Sequence, residues 1–162
     1  MSQTNNKAQK NNFFMYIFSA AFVSFIVLIL VLQTDESYAD ENVVTVYKSP
    51  TCGCCKKWVS HLEDNGFKVN AIDTDNMTAI KDKNGVPMGA RSCHTAIVGG
   101  YVIEGHVPAD DIKKLLQEKR QVTGLAVPGM PMGSPGMEGN RVDKYSVYEF
   151  DKSGKAAVVN QY

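Results

Sequence analysis

Three observations predict an α/β domain built on a mixed sheet. Runs of β-branched and aromatic residues alternate with segments of helical spacing, a cysteine-rich turn joins the first strand to the first helix, and a Gly-Gly connection later links two further strands. Taken in order, Val43 to Tyr47 reads as a strand stopped by Ser49-Pro50, and Trp58, Val59 and Leu62 recur at helical spacing before Asn65-Gly66. Phe67 to Ile72 alternates with period two and ends at Asp73, a short helical segment is predicted around Met77 to Lys83, and Asn84-Gly85-Val86-Pro87 breaks it. Thr95 to Val98 and Tyr101 to Glu104 flank Gly99-Gly100, the pattern of a tight antiparallel hairpin. Pro108 opens a last helix with Asp110 and Asp111 in its first turn and Ile112, Leu115 and Leu116 on one face. From Gly124 to Met137 the composition turns to Gly, Pro and Met and reads as an irregular loop, too apolar for a solvated linker. Tyr145 to Phe150 and Ala157 to Val159 then form a terminal hairpin around Asp151 to Lys155.

The amino-terminal residues 1–39 are read as a targeting segment. Phe13 to Leu32 carries no charge, follows Lys7 and Lys10, and precedes Asp35 and Glu36. Two outcomes fit. A run of this length spans a bilayer as an anchor, whereas Ser37-Tyr38-Ala39 offers the small residues of a signal-peptide cleavage site. Either way, Lys7 and Lys10 stay inside and the chain from Asp40 is expected to be exported, to the periplasm or another extracytoplasmic space, with membrane contact only through this segment. Residues 40–162 have the length of one domain. Without Lys7, Lys10, Asp35 and Glu36, fifteen charges of each sign remain, and this neutral balance argues against a nucleic-acid surface.

The chemistry concentrates in Thr51-Cys52-Gly53-Cys54-Cys55-Lys56, which holds three of the four cysteines. A strand-to-helix turn offers unpaired N–H groups and the positive end of the helix dipole, which favour thiolate over thiol. Exported proteins by default pair cysteines in disulfides, but adjacent Cys54 and Cys55 resist the required geometry with each other, so a functional thiol site is expected. The element order with its cysteine turn resembles thioredoxin. That resemblance implies a three-layer fold with a mixed sheet, with an N-terminal hydrophobic helix and a C-terminal β-hairpin added. It maps Cys52-Gly53-Cys54-Cys55-Lys56 onto the redox turn and places His94, beside Cys93, where such folds carry a cis-proline. By the same mapping His106 lies near both loops.

On that mapping Cys52, Cys54, Cys55, Cys93 and His94 converge. Soft sulfur donors select Cu(I), with bridging thiolates allowing more than one ion, or zinc where four ligands close a tetrahedral site. His106 is a further ligand or a group that orients one, against a plain loop-bracing role. Met130, Met132 and Met137 are thioethers suited to Cu(I), against a role as apolar filler. His61 and Trp58 read as packing residues. No phosphate-binding glycine motif or serine-nucleophile pattern occurs.

Four separated blocks resemble the CopG-like metal-binding family, long catalogued as a domain of unknown function and found with copper-resistance systems. They are Tyr47 to Cys55, Ser92 to Ala96, Ile103 to Pro108 and Gly124 to Pro131. The resemblance implies copper handling by an exported protein, through Cys52, Cys54, Cys55, Cys93 and His94, with copper-handling or redox proteins as partners. Two other readings stay open: a thiol-disulfide oxidoreductase with Cys52 as nucleophile and Cys55 as resolving thiol, and a structural zinc module.

Overall fold

The computed structural model describes residues 42–162. The expected signal peptide or anchor over Phe13 to Leu32, and the helix predicted for it, lie outside the described residues. Among those residues no helix is long and apolar enough to cross a membrane.

The strands and helices run β1 (Val43–Lys48), α1 (Gly53–Asp64), β2 (Lys68–Asp73), α2 (Met77–Lys83), a single 3-10 turn (Met88–Ala90), β3 (Thr95–Val98), β4 (Tyr101–Glu104), α3 (Ala109–Glu118), β5 (Gly124–Ala126), β6 (Ser146–Phe150) and β7 (Ala156–Gln161). One mixed seven-stranded sheet has the order β2-β1-β3-β4-β5-β6-β7. β1 and β2 are parallel across the α1 crossover, as are β4 and β5 across α3. The pairs β1/β3, β3/β4, β5/β6 and β6/β7 are antiparallel.

Strand alternation sorts the core into two faces. Val44, Val46, Ile103 and Leu125 pack with Trp58 and Leu62 of α1 and with Ile112, Leu115 and Leu116 of α3. Their neighbours Val102 and Ala126 point the other way, into a smaller cluster with Val86, Ala90 and Phe150. Lys81 of α2 reaches Glu104 on that second side, so helices cover both faces of the sheet and the expected three layers are present.

Two differences from the sequence reading matter. Gly124 to Ala126, expected within an irregular loop, is a fully buried strand between β4 and β6. Three residues are too short to show alternation, and neighbours on both sides impose the extended form. Helix α1 also starts at Gly53, inside the segment Thr51 to Lys56 that was read as a turn between strand and helix. Cys52 serves as its N-cap, its sulfur accepting from the Cys55 N–H at 3.3 Å, so Cys54 and Cys55 lie in the first helical turn.

The β3–β4 turn behaves as its glycines require. Gly99 and Gly100 have φ of +53° and +81°, both left-handed, as a two-residue hairpin turn of the primed type demands. The register follows from it: Val98 pairs with Tyr101 and Thr95 with Glu104.

Candidate metal centre

The centre is assembled by the N-terminus of α1 and the open ends of the β3–β4 hairpin. Residues equally far from the Gly99-Gly100 turn face each other, so Cys93, six before Gly99, meets His106, six after Gly100. Cys93 Sγ lies 3.1 Å from His106 Nε2, and the Gly105 N–H donates to the His94 carbonyl at 3.0 Å. Helix α1 presents its first turn to this hairpin end. Cys55 Sγ is 3.6 Å from Cys93 Sγ, and Cys52 Sγ is 3.5 Å from Cys54 Sγ.

Two overlapping sets of potential ligand atoms result, each with all members within 4.8 Å of one another. One is Cys52, Cys54, Cys55 and Cys93; the other is Cys93, His94 and His106. Cys93 belongs to both. The structure is in an oxidised form, with a Cys52–Cys55 disulfide and with Cys54 and Cys93 as free thiols. Cys52 is half-buried and Cys55 fully buried, so an incoming thiol meets Cys52 first.

Electrostatics keep these groups neutral without a cation. Burial, reinforced by nearby Cys54, pushes the Cys93 thiol up to about 12. His94, fully buried, is held well below its ordinary value by desolvation, then by His106 and Lys81. Burial also lowers His106, although the Pro135 carbonyl and Glu138 pull the other way. His106 Nδ1–H donates to the Pro135 carbonyl at 2.8 Å, which leaves the Nε2 lone pair facing Cys93. His94 Nδ1 lies 3.3 Å from the Cys93 sulfur, and its buried Nε2 has no hydrogen-bond partner. A buried ring nitrogen without a hydrogen-bond partner fits a metal ligand, and the sulfur-rich donor set around it suits a soft ion.

Residues 90–137 match the family described as "Protein of unknown function, DUF411". No curated protein matches the sequence. Two solved structures do, entitled "Copper resistance protein copG- Form 2" and "Copper resistance protein copG- Form 1". The first is 49% identical and the second 50%; both have a TM-score of 0.70 and cover 74% of this chain, and the match takes in 97% and 96% of their own lengths. The chain belongs to the CopG family of copper resistance proteins.

In this CopG-family chain the residues singled out from sequence are largely brought together. Cys52, Cys54, Cys55, Cys93, His94 and His106 all lie in the centre. Among the described residues no peptide bond is cis, so the Ser92-to-Thr95 loop runs trans throughout. The loop bearing Met130, Met132 and Met137 reaches the centre through Pro135. Met130 is about half exposed, while Met132 and Met137 are partly buried. Gly136, with φ of +85°, packs so closely that a Cβ there would lie 2.7 Å from the Cys54 carbonyl oxygen. His61 is a packing residue, its Nε2 accepting from the Ala109 N–H at the start of α3.

Sequence reading missed three contributors. Trp58 is core, yet its ring also lies against His94 with centroids 4.3 Å apart, and its indole N–H donates to the Val107 carbonyl at 2.9 Å. The Pro135 carbonyl sets the His106 tautomer, and no side-chain pattern announces a carbonyl. Glu104 lies behind the Cys93 loop; the hairpin register placed it opposite Thr95, which is the one signal that was available.

The three histidines give a signed pH dependence. Each is held below the ordinary histidine value of about 6.5, so on acidification the unfolded chain takes up protons that the fold refuses. Stability is therefore complete above pH 6.5 and falls as the pH drops below it. For the fully buried His94 the loss approaches ~1.4 kcal/mol per pH unit. Melting of the metal-free protein should shift down between pH 7 and pH 5; a flat profile would contradict the neutral assignment.

Proposed function

We propose that this protein binds Cu(I) for copper resistance through the reduced sulfurs of Cys52, Cys54, Cys55 and Cys93, with His94 and His106 as nitrogen donors. The observation that carries this reading is the pair of adjoining donor sets, four sulfurs in one and one sulfur with two neutral imidazoles in the other, joined through Cys93. Thiolates favour Cu(I) over harder ions, and four sulfurs exceed what one two-coordinate ion needs, which supports more than one copper. Copper bound here would supply a soft Lewis acid and a one-electron couple. Met130, Met132 and Met137 are auxiliary thioether donors in this reading.

The Cys52–Cys55 disulfide withholds two of the four sulfurs. Full loading therefore follows its reduction by an external dithiol, which supplies the two electrons and two protons and is itself oxidised to a disulfide. Each thiol that becomes a ligand gives up its proton, so Cu(I) affinity rises with pH. The disulfide, together with the uncharged run Phe13 to Leu32, supports action in an oxidising extracytoplasmic space.

A second reading, thiol-disulfide exchange, is favoured by the same disulfide. Cys52 is the reachable sulfur and Cys55 the buried resolving one, in the roles expected for such an enzyme. A structural zinc site would draw on the same four sulfurs and need the same reduction, and the likeness to structures entitled copper resistance proteins favours copper over it.

The deciding experiment is anaerobic titration of the reduced full-length protein with Cu(I), and separately with Zn(II), counting free thiols at each step. The copper reading expects several Cu(I) ions to bind against a strong chelator and to protect all four thiols. Copper bound no better than zinc, with turnover on protein disulfides in metal-free protein, would overturn it in favour of exchange.

A further inference from the structure

Behind the Cys93–His94 pair lies a buried charge network that neither function uses directly. Glu104, at the end of β4, is fully buried, and Lys81 of α2 is nearly so. Glu104 Oε1 accepts from Lys81 Nζ at 2.6 Å and from the Ser92 backbone N–H at 2.6 Å. Its Oε2 accepts from the Thr95 hydroxyl at 2.7 Å, and that hydroxyl in turn accepts from Lys81 at 3.0 Å. One carboxylate thus holds the residues on both sides of Cys93–His94. The next residue, Gly105, donates to the His94 carbonyl between those anchors.

We propose that Glu104 is a positioning residue that clamps the Ser92-to-Thr95 loop, and so sets where Cys93 and His94 meet Cys55 and His106. The consequence for metal affinity rests on the copper reading; the clamp itself does not. Stability alone is a weak reason for such a pair. A buried ion pair can often be replaced by apolar side chains of similar volume without loss of stability, because desolvating both charges offsets their attraction. Its geometry has a different use. Charge-assisted bonds to both flanks of a dipeptide restrict it more tightly than neutral contacts do. The opposite side is closed as well: Ser92 Oγ donates to the Gly129 carbonyl, and a Cβ on Gly105 (φ +72°) would lie 2.6 Å from the Ser92 side chain.

The test compares Lys81→Met with Lys81→Met/Glu104→Leu. The single variant leaves both Glu104 oxygens in place toward the Ser92 N–H and the Thr95 hydroxyl, so the clamp persists. In the double variant the charges leave together and the clamp is gone. Two quantities are read: the alkylation rate of Cys93 in the oxidised, metal-free full-length protein, with Cys54 as internal control, and the Cu(I) affinity after reduction. The double variant should alkylate at Cys93 about tenfold faster, with Cys54 unchanged, and bind Cu(I) about 10- to 100-fold more weakly, the range seen when a group that orients a ligand is lost. Lys81→Met should match the parent in the rate of Cys93 alkylation. Thr95→Val, which removes one anchor, should shift both quantities in the same direction by a smaller factor, and it decides the matter if the double variant does not fold. Unchanged Cys93 reactivity in the folded double variant, or in Thr95→Val when the double variant does not fold, would overturn the clamp. Faster Cys93 alkylation in a protein whose parent binds no Cu(I) would uphold the clamp and remove the copper reading instead.

Discussion

Replacing Cys93 with serine is expected to lower Cu(I) affinity by more than about 100-fold, beyond the range for loss of an orienting partner. Cys93 is the one residue common to the sulfur set and the imidazole set, so its loss breaks both at once. A serine hydroxyl is a hard donor and a poor substitute for thiolate toward Cu(I). The fold should survive, because the hydroxyl can donate to the His106 Nε2 that lies 3.1 Å from the present sulfur. Competition with a Cu(I) chelator measures the effect, with thermal melting as the control. Cys54→Ser touches only the sulfur set and should cost less. Undiminished stoichiometry and affinity in Cys93→Ser would remove this residue from the centre.

Gly124→Ala is expected to destabilise the metal-free domain by about 3 kcal/mol or more, at the upper end of overpacking effects. A Cβ at Gly124 would lie 1.7 Å from the Val102 carbonyl oxygen and 2.6 Å from its carbon, and both are backbone atoms that no rotamer change can move. The strands must separate. In the strand order β6 and β7 join the rest of the sheet only through β5, so the terminal hairpin loosens with it. The chain leaving β5 also runs into the Pro135 loop that holds His106, hence copper affinity should fall together with stability. Urea unfolding measures the first effect. A change below about 1 kcal/mol would show that β4 and β5 separate at little cost.

Much of this architecture was legible residue by residue. Helix α2 covers Met77 to Lys83 as its spacing predicted, capped by Asn76 and ended by Asn84 and Gly85. Gly99-Gly100 announced the hairpin, and the cysteine turn stands between strand and helix where expected. The β5 strand was not legible, since Gly124-Leu125-Ala126 has neither length nor alternation. The disulfide was only half visible. Spacing argued against bonding between Cys54 and Cys55, and Cys52 with Cys55 was the pair of the exchange reading; that it is formed here was shown by the structure, where α1 starts at Gly53 and brings positions three apart onto one side.

The sequence by itself determined the local matters: which residues carry soft donors, where the helices cap, and that a two-residue glycine turn makes a hairpin. These depend on neighbours within a few positions, where propensity and spacing act. The thioredoxin resemblance placed the first turn of α1 near the Cys93 loop, and tertiary structure decided the distances at which they meet. Tertiary structure alone decided that Pro135 orients His106 and that one buried carboxylate holds both flanks of Cys93–His94. Contacts between residues far apart in the chain form because sheet order and layer packing place them side by side, and the energy that selects that arrangement is spread over the whole core.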